Sequence, residues 1–338
     1  MRSCTAFFCF MLYRFCNYIF LYIAFLNRMP AFMPAPLLFC TENYRYLYDE
    51  VADLMPSVEK GAVERRVFPD GERYQCLLSG VEGRDVMLIG GTISDVDTLE
   101  LYDLAYAIAK YGAKSLRIVI PFFGYSTMER AVRQGEVVTA KTRARLLSAI
   151  PNTGTLVKYY LIDLHTEGIP HYFEGNVTAL HVYAKPVIIE AARQYGGAHF
   201  VLACTDAGRA KWVESLANDM GVEAAFVFKK RLSGEQTAIT GVNADVEGKT
   251  VIIYDDMIRT GGSLIKAAQA YKEAGARRII AITTHGIFVG QCVERIQQSG
   301  LFEKIIATNT HPNALKYAGH PLVEIRSVAA LIARHLSI

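Results

Sequence analysis

The stretch VIIYDDMIRTGGS, residues 251–263, combines an apolar run, two adjacent acids and a Thr-Gly-Gly-Ser turn. Its first four residues have the pattern of a buried strand, and a helix is predicted directly after the turn, over 264–274. The glycines allow backbone N–H groups to face inward at the positive end of the helix dipole, beside two hydroxyl groups. This arrangement predicts a phosphate-monoester site formed by Thr260, Gly261, Gly262 and Ser263.

The two acids of this stretch, Asp255 and Asp256, are unsuited to binding phosphate because they carry the same sign of charge. They suit the hydroxyl groups of a sugar, or Mg²⁺ held through water. Carboxylates beside a phosphate site therefore predict a phosphorylated sugar as the ligand. The turn is not a Walker loop, because no Gly-Lys-Ser or Gly-Lys-Thr follows the glycines.

Strand and helix patterns alternate on both sides of this stretch. Such alternation predicts an α/β fold with mainly parallel sheets flanked by helices, in which ligands bind at the carboxyl ends of the strands. The predicted strands are 36–40, 86–89, 116–120, 157–162, 200–203, 224–228, 251–254 and 279–283, and the predicted helices are 44–54, 101–108, 139–150, 212–220 and 264–274.

Two helix endings indicate an internal duplication. Gly112-Ala113-Lys114 and Gly275-Ala276-Arg277 each close a helix and precede a strand, at an offset of 163 residues. At that offset, residues 255–263 correspond to 92–100, which read TISDVDTLE and lack the glycines. We therefore expect two similar domains, of which only the second keeps the phosphate loop.

A length of 338 residues suits two such domains. We expect an N-terminal domain over 36–183 and a C-terminal domain over 184–310, the second of which would bind the phosphorylated sugar. Residues 311–338 are predicted to pack back on the N-terminal domain. Residues 1–35 are predicted to lie outside the fold.

The extension contains an almost wholly apolar run, residues 6–26, which has the length of a membrane span. Arg14 would then lie near the middle of the bilayer, where a charge is unfavourable. Two interpretations stay open, an upstream extension that never packs on the fold and a real membrane or targeting segment. We expect no membrane association unless the second is correct.

Composition excludes several classes of protein. Hydrophobic residues make up 51% of the chain and charged residues 20%, which excludes disordered and fibrous proteins. A net charge of +3 is too small to indicate nucleic acid as a partner. The seven cysteines form no Cys-x-x-Cys pair, which is typical of reduced thiols in the cytoplasm.

Six motifs in a fixed order resemble those of the ribose-phosphate diphosphokinases, also called phosphoribosyl-diphosphate synthases. The resemblance covers the chain from about residue 36 to its end. It implies the type I phosphoribosyltransferase fold. The motifs are FPDGE at 68–72, IDLH at 162–165, CTDAG at 204–208, FKKR at 228–231, VIIYDDMIRTGGS at 251–263 and THGIF at 284–288.

The resemblance implies a reaction and a set of roles. ATP would transfer its diphosphoryl group to the anomeric hydroxyl of ribose 5-phosphate, with Mg²⁺ as cofactor, in a homo-oligomer. The loop 260–263 would bind the 5-phosphate, and the acid pair 255–256 the ribose hydroxyls. The other implied residues are Lys229, Arg231 and His165 for catalysis, Phe68, Asp70, Glu72 and Arg130 for ATP, and His165 and Asp206 for the metal.

Three departures from the common bacterial pattern resemble the plant-type class II branch. Thr127 and Met128 replace an Arg-Gln pair that contacts the nucleotide, and Arg259 replaces an aspartate. The branch implies activity without strict dependence on inorganic phosphate, and acceptance of several nucleoside triphosphates.

Two other functions stay open. A salvage phosphoribosyltransferase would share the loop 255–263 but would need neither the ATP loop at 68–72 nor the basic run at 229–231. A non-catalytic regulatory subunit would keep the fold and lose catalytic residues. The presence of His165 and Asp206 argues for activity.

Overall fold

The computed structural model describes residues 34–205, 207–233 and 236–337. From Pro36 onward the chain forms one compact unit. The apolar run 6–26 therefore lies outside the described residues, and both interpretations of it stay predictions. Within the described ranges, no helix is both long enough and apolar enough to span a bilayer.

The first half of the chain forms a parallel sheet of six strands. These strands are β1 Leu37–Cys40, β2 Glu59–Lys60, β5 Asp85–Ile89, β6 Ser115–Ile120, β7 Leu156–Ile162 and β8 Val177–Val182, and the helices between them are α1 Arg45–Leu54, α2 Asp95–Lys110 and α3 Thr139–Ser148. The strand order is β2-β1-β5-β6-β7-β8. Strands β1, β5 and β6 are strongly apolar, as expected for strands that are buried on both faces.

The second half forms a sheet of the same order. Its strands are β9 Val201–Cys204, β10 Glu223–Ala225, β13 Thr250–Ile258, β14 Arg278–Gly286, β15 Lys304–Thr308 and β16 Val323–Arg326, and its helices are α4 Lys185–Gly196, α5 Ala210–Met220, α6 Gly262–Glu273, α7 Cys292–Gln298 and α8 Ala329–Leu336. The order is β10-β9-β13-β14-β15-β16, again parallel throughout. The predicted α/β fold with two similar sheets is confirmed.

Each half adds an antiparallel hairpin. The first joins β3 Val63–Val67 to β4 Arg73–Leu77, and the second joins β11 Val227–Ser233 to β12 Gln236–Val242. The sequence analysis misses the first hairpin, because VERRV has no apolar alternation. The strand predicted over 224–228 is wrong as one element, since the chain breaks it into β10 and β11.

Short 3₁₀ helices complete the described chain at Glu42–Tyr44, Ile169–Tyr172, Ala207–Arg209 and Pro312–Tyr317.

The two sheets contribute to one shared core. Leu38 and Ile89 of the first sheet and Ile252 and Ile306 of the second belong to the same buried cluster. Helix α8 packs on α1, and Arg117 on β6 donates a hydrogen bond of 2.7 Å to the carbonyl of Leu336. Residues after 310 thus supply both a strand of the second sheet and a helix on the first half. The division into domains stays a prediction.

Strand registers align the two halves residue by residue. Cys40 pairs with Ile89 in the first sheet, and Cys204 pairs with Tyr254 in the second. Ile89 and Tyr254 are therefore equivalent, and the offset between the halves is 165 at this strand. At the next strand the offset is 163, because β6 starts at 115 and β14 at 278. The connection before the helix is two residues longer in the second half, 255–261 against 90–94, but α6 is four residues shorter than α2, with 12 residues against 16, so the offset falls by two.

This alignment corrects the expected one. The counterpart of residues 255–256 is Gly90-Gly91, not the Thr-Ile that begins the stretch 92–100. A fixed offset fails because the connection and the helix that follow this strand both differ in length between the two halves.

Candidate active site

The phosphate loop lies between β13 and α6 and surrounds a pocket of about 190 Å³. Gly261 is the N-cap of α6 and has a left-handed backbone, with φ of 80°. A Cβ at this glycine would lie 3.0 Å from Ile296, so glycine suits both the backbone and the space. Arg295 on α7 donates a hydrogen bond of 2.5 Å to the carbonyl of Thr260 and so supports the loop from behind.

The N-terminus of α6 has features that suit an anion. No side chain caps it, and its first turn contains no acidic residue. The first N–H groups of a helix have no partner within the helix, and the helix dipole favours negative charge there. The described geometry thus agrees with the phosphate site predicted at Thr260–Ser263.

Strand β13 is longer than predicted, and this separates the two acids. The strand continues to Ile258, so Asp255 and Asp256 are inside it and their side chains point to opposite faces. Asp255 lines the loop pocket, and Asp256 lines a second pocket of about 560 Å³. The predicted carboxylate pair is therefore divided between two pockets.

Asp256 is buried in a cluster with His165 and Arg209. Nδ1 of His165 lies 2.8 Å from Oδ2 of Asp256 and 2.9 Å from Nη2 of Arg209, and the guanidinium also bonds to Asp256. Nδ1 of His165 thus faces both groups, and it donates to Asp256 in one tautomer and accepts from Arg209 in the other. The structure thus brings the predicted residues His165 and Asp256 together.

The pKa values of the two acids, Asp255 and Asp256, are shifted in opposite directions. Burial raises the pKa of Asp255, and the neighbouring carboxylate of Asp256 raises it further. Burial also opposes ionisation of Asp256, but the hydrogen bond from His165 and the charge of Arg209 outweigh it and hold the pKa of Asp256 below its ordinary value. Thr205 donates a hydrogen bond of 3.0 Å to Asp255.

Asp163 supports the turn that carries His165. Its backbone is left-handed, with φ of 39°, and its carboxylate accepts a hydrogen bond of 2.9 Å from the N–H of Ala184 and another from Thr284. His285 Nε2 lies 3.0 Å from the carbonyl of Asp163. Burial raises the pKa of Asp163 to about 6, despite these hydrogen bonds.

The predicted catalytic residues Lys229 and Arg231 lie on β11, in the antiparallel hairpin. Their backbones pair with Ile239 and Thr237. Their side chains, like the whole of Asp206, lie outside what the structure describes, so their roles stay predictions.

The predicted ATP residues lie in the first half. Phe68, Asp70 and Glu72 form the turn of the hairpin β3–β4, where the N–H of Phe68 donates to the carbonyl of Glu72 at 2.8 Å. The Phe68 ring is 43% exposed and meets Tyr74 edge-on. The side chain of Arg130 is also exposed, and its Nε lies 3.5 Å from Oε1 of Glu129. The ring of Phe68 and the charge of Arg130 are thus each accessible to a ligand.

Comparisons with known proteins cover both halves of the chain. One protein-family profile, described as the N-terminal domain of ribose phosphate pyrophosphokinase, matches residues 37–150, and another, described as a phosphoribosyl synthetase-associated domain, matches 205–337. A ribose-phosphate pyrophosphokinase from Vibrio parahaemolyticus is 33% identical over 89% of this chain and 95% of its own length. The chain belongs to the ribose-phosphate pyrophosphokinase family.

Further relatives of this family agree. A ribose-phosphate pyrophosphokinase from Chromobacterium violaceum is 31% identical over 82% of this chain and 84% of its own length. The crystal structure of phosphoribosylpyrophosphate synthetase from Mycobacterium smegmatis superposes with a TM-score of 0.78, at 27% identity, over 89% of this chain and 97% of that one. The predicted resemblance is confirmed at the level of the family, and membership of the plant-type class II branch stays a prediction.

The sequence analysis of this pyrophosphokinase family member misses Arg209 and gives Asp163 no role. Arg209 is a single arginine in a turn, and only the fold brings it to Asp256. Asp163 was quoted within the motif at 162–165, but nothing in the sequence shows that its carboxylate is buried. Trp212 stacks on Tyr254 with ring centroids 4.3 Å apart and lines the same pocket as His165.

Proposed function

We propose that this protein transfers the diphosphoryl group of ATP to ribose 5-phosphate, giving 5-phosphoribosyl 1-diphosphate and AMP for nucleotide biosynthesis. The anomeric oxygen attacks the β-phosphorus, a new O–P bond forms, and the bond from the β-phosphorus to the oxygen of AMP breaks. The observation that carries the proposal is the uncapped N-terminus of α6, with Asp255 beside it, in a chain of this family.

The roles of the residues follow from their chemistry. The N–H groups at the start of α6 bind the 5-phosphate, together with the hydroxyls of Thr260 and Ser263. Asp255 lines the same pocket and accepts hydrogen bonds from ribose hydroxyls. Such contacts position the anomeric oxygen, and phosphoryl transfer depends mainly on positioning and on neutralising charge.

The opposite face of β13 serves the triphosphate. His165 and Arg209 offer N–H donors there, and Asp256 holds both. We propose Lys229 and Arg231 as the cations that neutralise charge on the transferred group, as the family motif implies. Phe68, Asp70, Glu72 and Arg130 remain the proposed ATP residues.

We propose that Mg²⁺ enters the site bound to the triphosphate, as its counter-ion. The described residues do not fit a resident magnesium site, because no three His, Cys, Asp or Glu side chains lie close enough together there to hold an ion. Mg²⁺ also prefers oxygen ligands, and the His165–Asp256 position already holds a guanidinium. The predicted ligand pair His165 and Asp206 stays a prediction.

The test is AMP formation from ATP and ribose 5-phosphate by the purified full chain. Formation of both products supports the proposal. A nucleotide formed from phosphoribosyl diphosphate and a free base, with no AMP from ATP, would indicate the salvage phosphoribosyltransferase instead. Binding of both substrates without turnover would indicate the non-catalytic subunit.

We also propose a homo-oligomer in the cytoplasm. Val67, Phe68 and Leu78 are exposed apolar residues on or beside one hairpin, and exposed apolar surface of this kind favours association. Sedimentation velocity tests this, because a monomer at micromolar concentration would contradict it.

We also propose the behaviour of the class II branch. Thr127 and Met128, on which this proposal rests, are both exposed in the loop after β6. A site with fewer polar groups discriminates less between bases. GTP or CTP is therefore expected to support turnover, and phosphate-free buffer to permit it; strict dependence on ATP and phosphate would place the protein in the other branch.

A further inference from the structure

Arg209 lies at the point where a metal ion would contact His165 and Asp256. Its Nη2 bonds to Oδ2 of Asp256 and lies 2.9 Å from Nδ1 of His165. Its side chain is only 18% exposed, and that of Asp256 only 4%. One guanidinium nitrogen therefore occupies the space that both of these groups face.

The fold fixes Arg209 in this position. It is the last residue of the 3₁₀ turn Ala207–Arg209 and directly precedes α5, while Asp256 is inside β13. Strand β9, which leads into that turn, pairs with β13. The ion pair therefore joins β13 to the turn before α5, and Arg209 is not a long side chain that extends freely over the surface.

We propose that Arg209 is a built-in cation that keeps divalent metal ions away from the His165–Asp256 position in the substrate-free protein. The argument is one of charge and space. Asp256 is balanced by the positive charge of Arg209, so the repulsion of a divalent ion by Arg209 offsets its attraction to Asp256. Nδ1 of His165 is also engaged, as a donor to Asp256 or as an acceptor from Arg209, so that nitrogen offers an ion no free lone pair. This inference extends the proposed function, since it describes the same site.

Arg209→Gln tests the proposal. The variant keeps a polar side chain and removes the charge. In full-length, substrate-free protein, Mn²⁺ affinity is expected to rise on the order of tenfold or more, because a like charge next to the ion is lost. The loss of the EPR signal of free Mn²⁺ measures binding. Trp212 is the single tryptophan of the chain and lines the same pocket, so quenching of its fluorescence locates the bound ion.

Three control variants make the result specific. Arg145→Gln removes an exposed arginine that pairs with Glu174, and it is expected to leave Mn²⁺ binding unchanged. Arg209→Lys keeps the charge and is expected to bind Mn²⁺ as weakly as the wild type. The double variant Arg209→Gln/Asp256→Asn is expected to lose the gained affinity.

Two results would overturn the proposal. One is equal Mn²⁺ affinity in Arg209→Gln and the wild type. The other is tight binding by the wild type that Asp256→Asn abolishes, which is decisive even if Arg209→Gln does not fold. Neither measurement needs ATP or turnover, so failure here is distinguishable from failure to form AMP.

Discussion

The two halves of this protein share one topology and differ at the position that becomes a site. In the first half, a Cβ on Gly91 would lie 2.3 Å from the hydroxyl of Tyr44, so an aromatic ring fills the space. In the second half, Asp256 stands at the position of Gly91, and Arg209 ends the 3₁₀ turn before α5 as Tyr44 ends the one before α1. A tyrosine packed on a glycine in the first half thus corresponds to an arginine paired with a buried carboxylate in the second half.

The helices that follow differ in the same sense. Ser94 caps α2, because its side chain accepts from the N–H of Asp97, and two acids occupy the first turn. Helix α6 begins instead at Gly261 with no such cap. The first half thus caps this helix N-terminus with its own side chain, and the second half does not.

A third difference between the halves concerns the residues that directly follow β7 and β15, Asp163 and Asn309. The carboxylate of Asp163 accepts from the N–H of Ala184 at 2.9 Å, and the amide oxygen of Asn309 accepts from the N–H of Val328 at 2.9 Å. The same backbone support thus uses an ionisable group in the half that carries His165 and a neutral amide in the other half.

The largest effect on activity is expected from Gly261→Asp, which gives the second half a cap like that of the first. The new side chain would meet Ile296, strain the left-handed backbone and place a negative charge at the phosphate site. We expect kcat/KM for ribose 5-phosphate to fall about 100-fold or more, equivalent to about 2.7 kcal/mol or more of transition-state binding. Steady-state kinetics measure it; an unchanged value would refute the assignment of the loop.

The two acids of β13 are expected to differ in their effect on stability. Asp256→Asn leaves Arg209 without its charge partner, which should lower the free energy of unfolding by about 3–4 kcal/mol. Asp255→Asn should change it by less than about 1 kcal/mol, because the raised pKa of Asp255 already favours its neutral form. Urea unfolding compares them, and equal losses would contradict the division between the two faces.

Replacing Asp163 by the residue of the other half should remove a pH dependence. The folded-state pKa of Asp163 is about 6, above its ordinary 3.8, so the folded protein binds the proton more tightly than the unfolded chain does. Stability due to this group is therefore present at low pH and is lost as the pH rises from about 4 to about 6. Relative to the wild type, Asp163→Asn should gain about 2–3 kcal/mol across that window.

Urea unfolding of both proteins at several pH values gives this difference directly. A difference that is flat with pH would show that Asp163 does not titrate as its burial requires. The matched change in the second half, Asn309→Asp, is expected to introduce a new loss of stability over the same pH range.

The smallest effect is expected from Ser94→Ala, which removes the side-chain cap of α2. The free energy of unfolding should fall by about 1 kcal/mol, the usual value for an N-cap, while kcat/KM stays within about twofold. Thermal unfolding and the AMP assay measure the two quantities. A large loss of activity would mean that the first half also binds a ligand at this helix.

The apolar runs made the sheets predictable, since strands such as VIIY at 251–254 are buried on both faces. The turn between β13 and α6 was predictable because its glycines and hydroxyls are adjacent in the chain. The cluster of His165, Arg209 and Asp256 was not, because its members come from three separate segments. The end of β13 was misplaced because adjacent acids are unusual inside a strand, and here burial and ion pairing hold one of them there.

The first and last described segments of the compact unit lie side by side. Pro36, which precedes β1, and Leu336 and Ser337 at the end of α8 line the same pocket. A version that starts at Pro36 therefore permits circular permutation, because a short linker from Ser337 to Pro36 disturbs neither sheet. The chain could then be reopened at the exposed turn around Gly154, between α3 and β7. The order in which the two halves are synthesised could thus be altered while every contact of the site is kept.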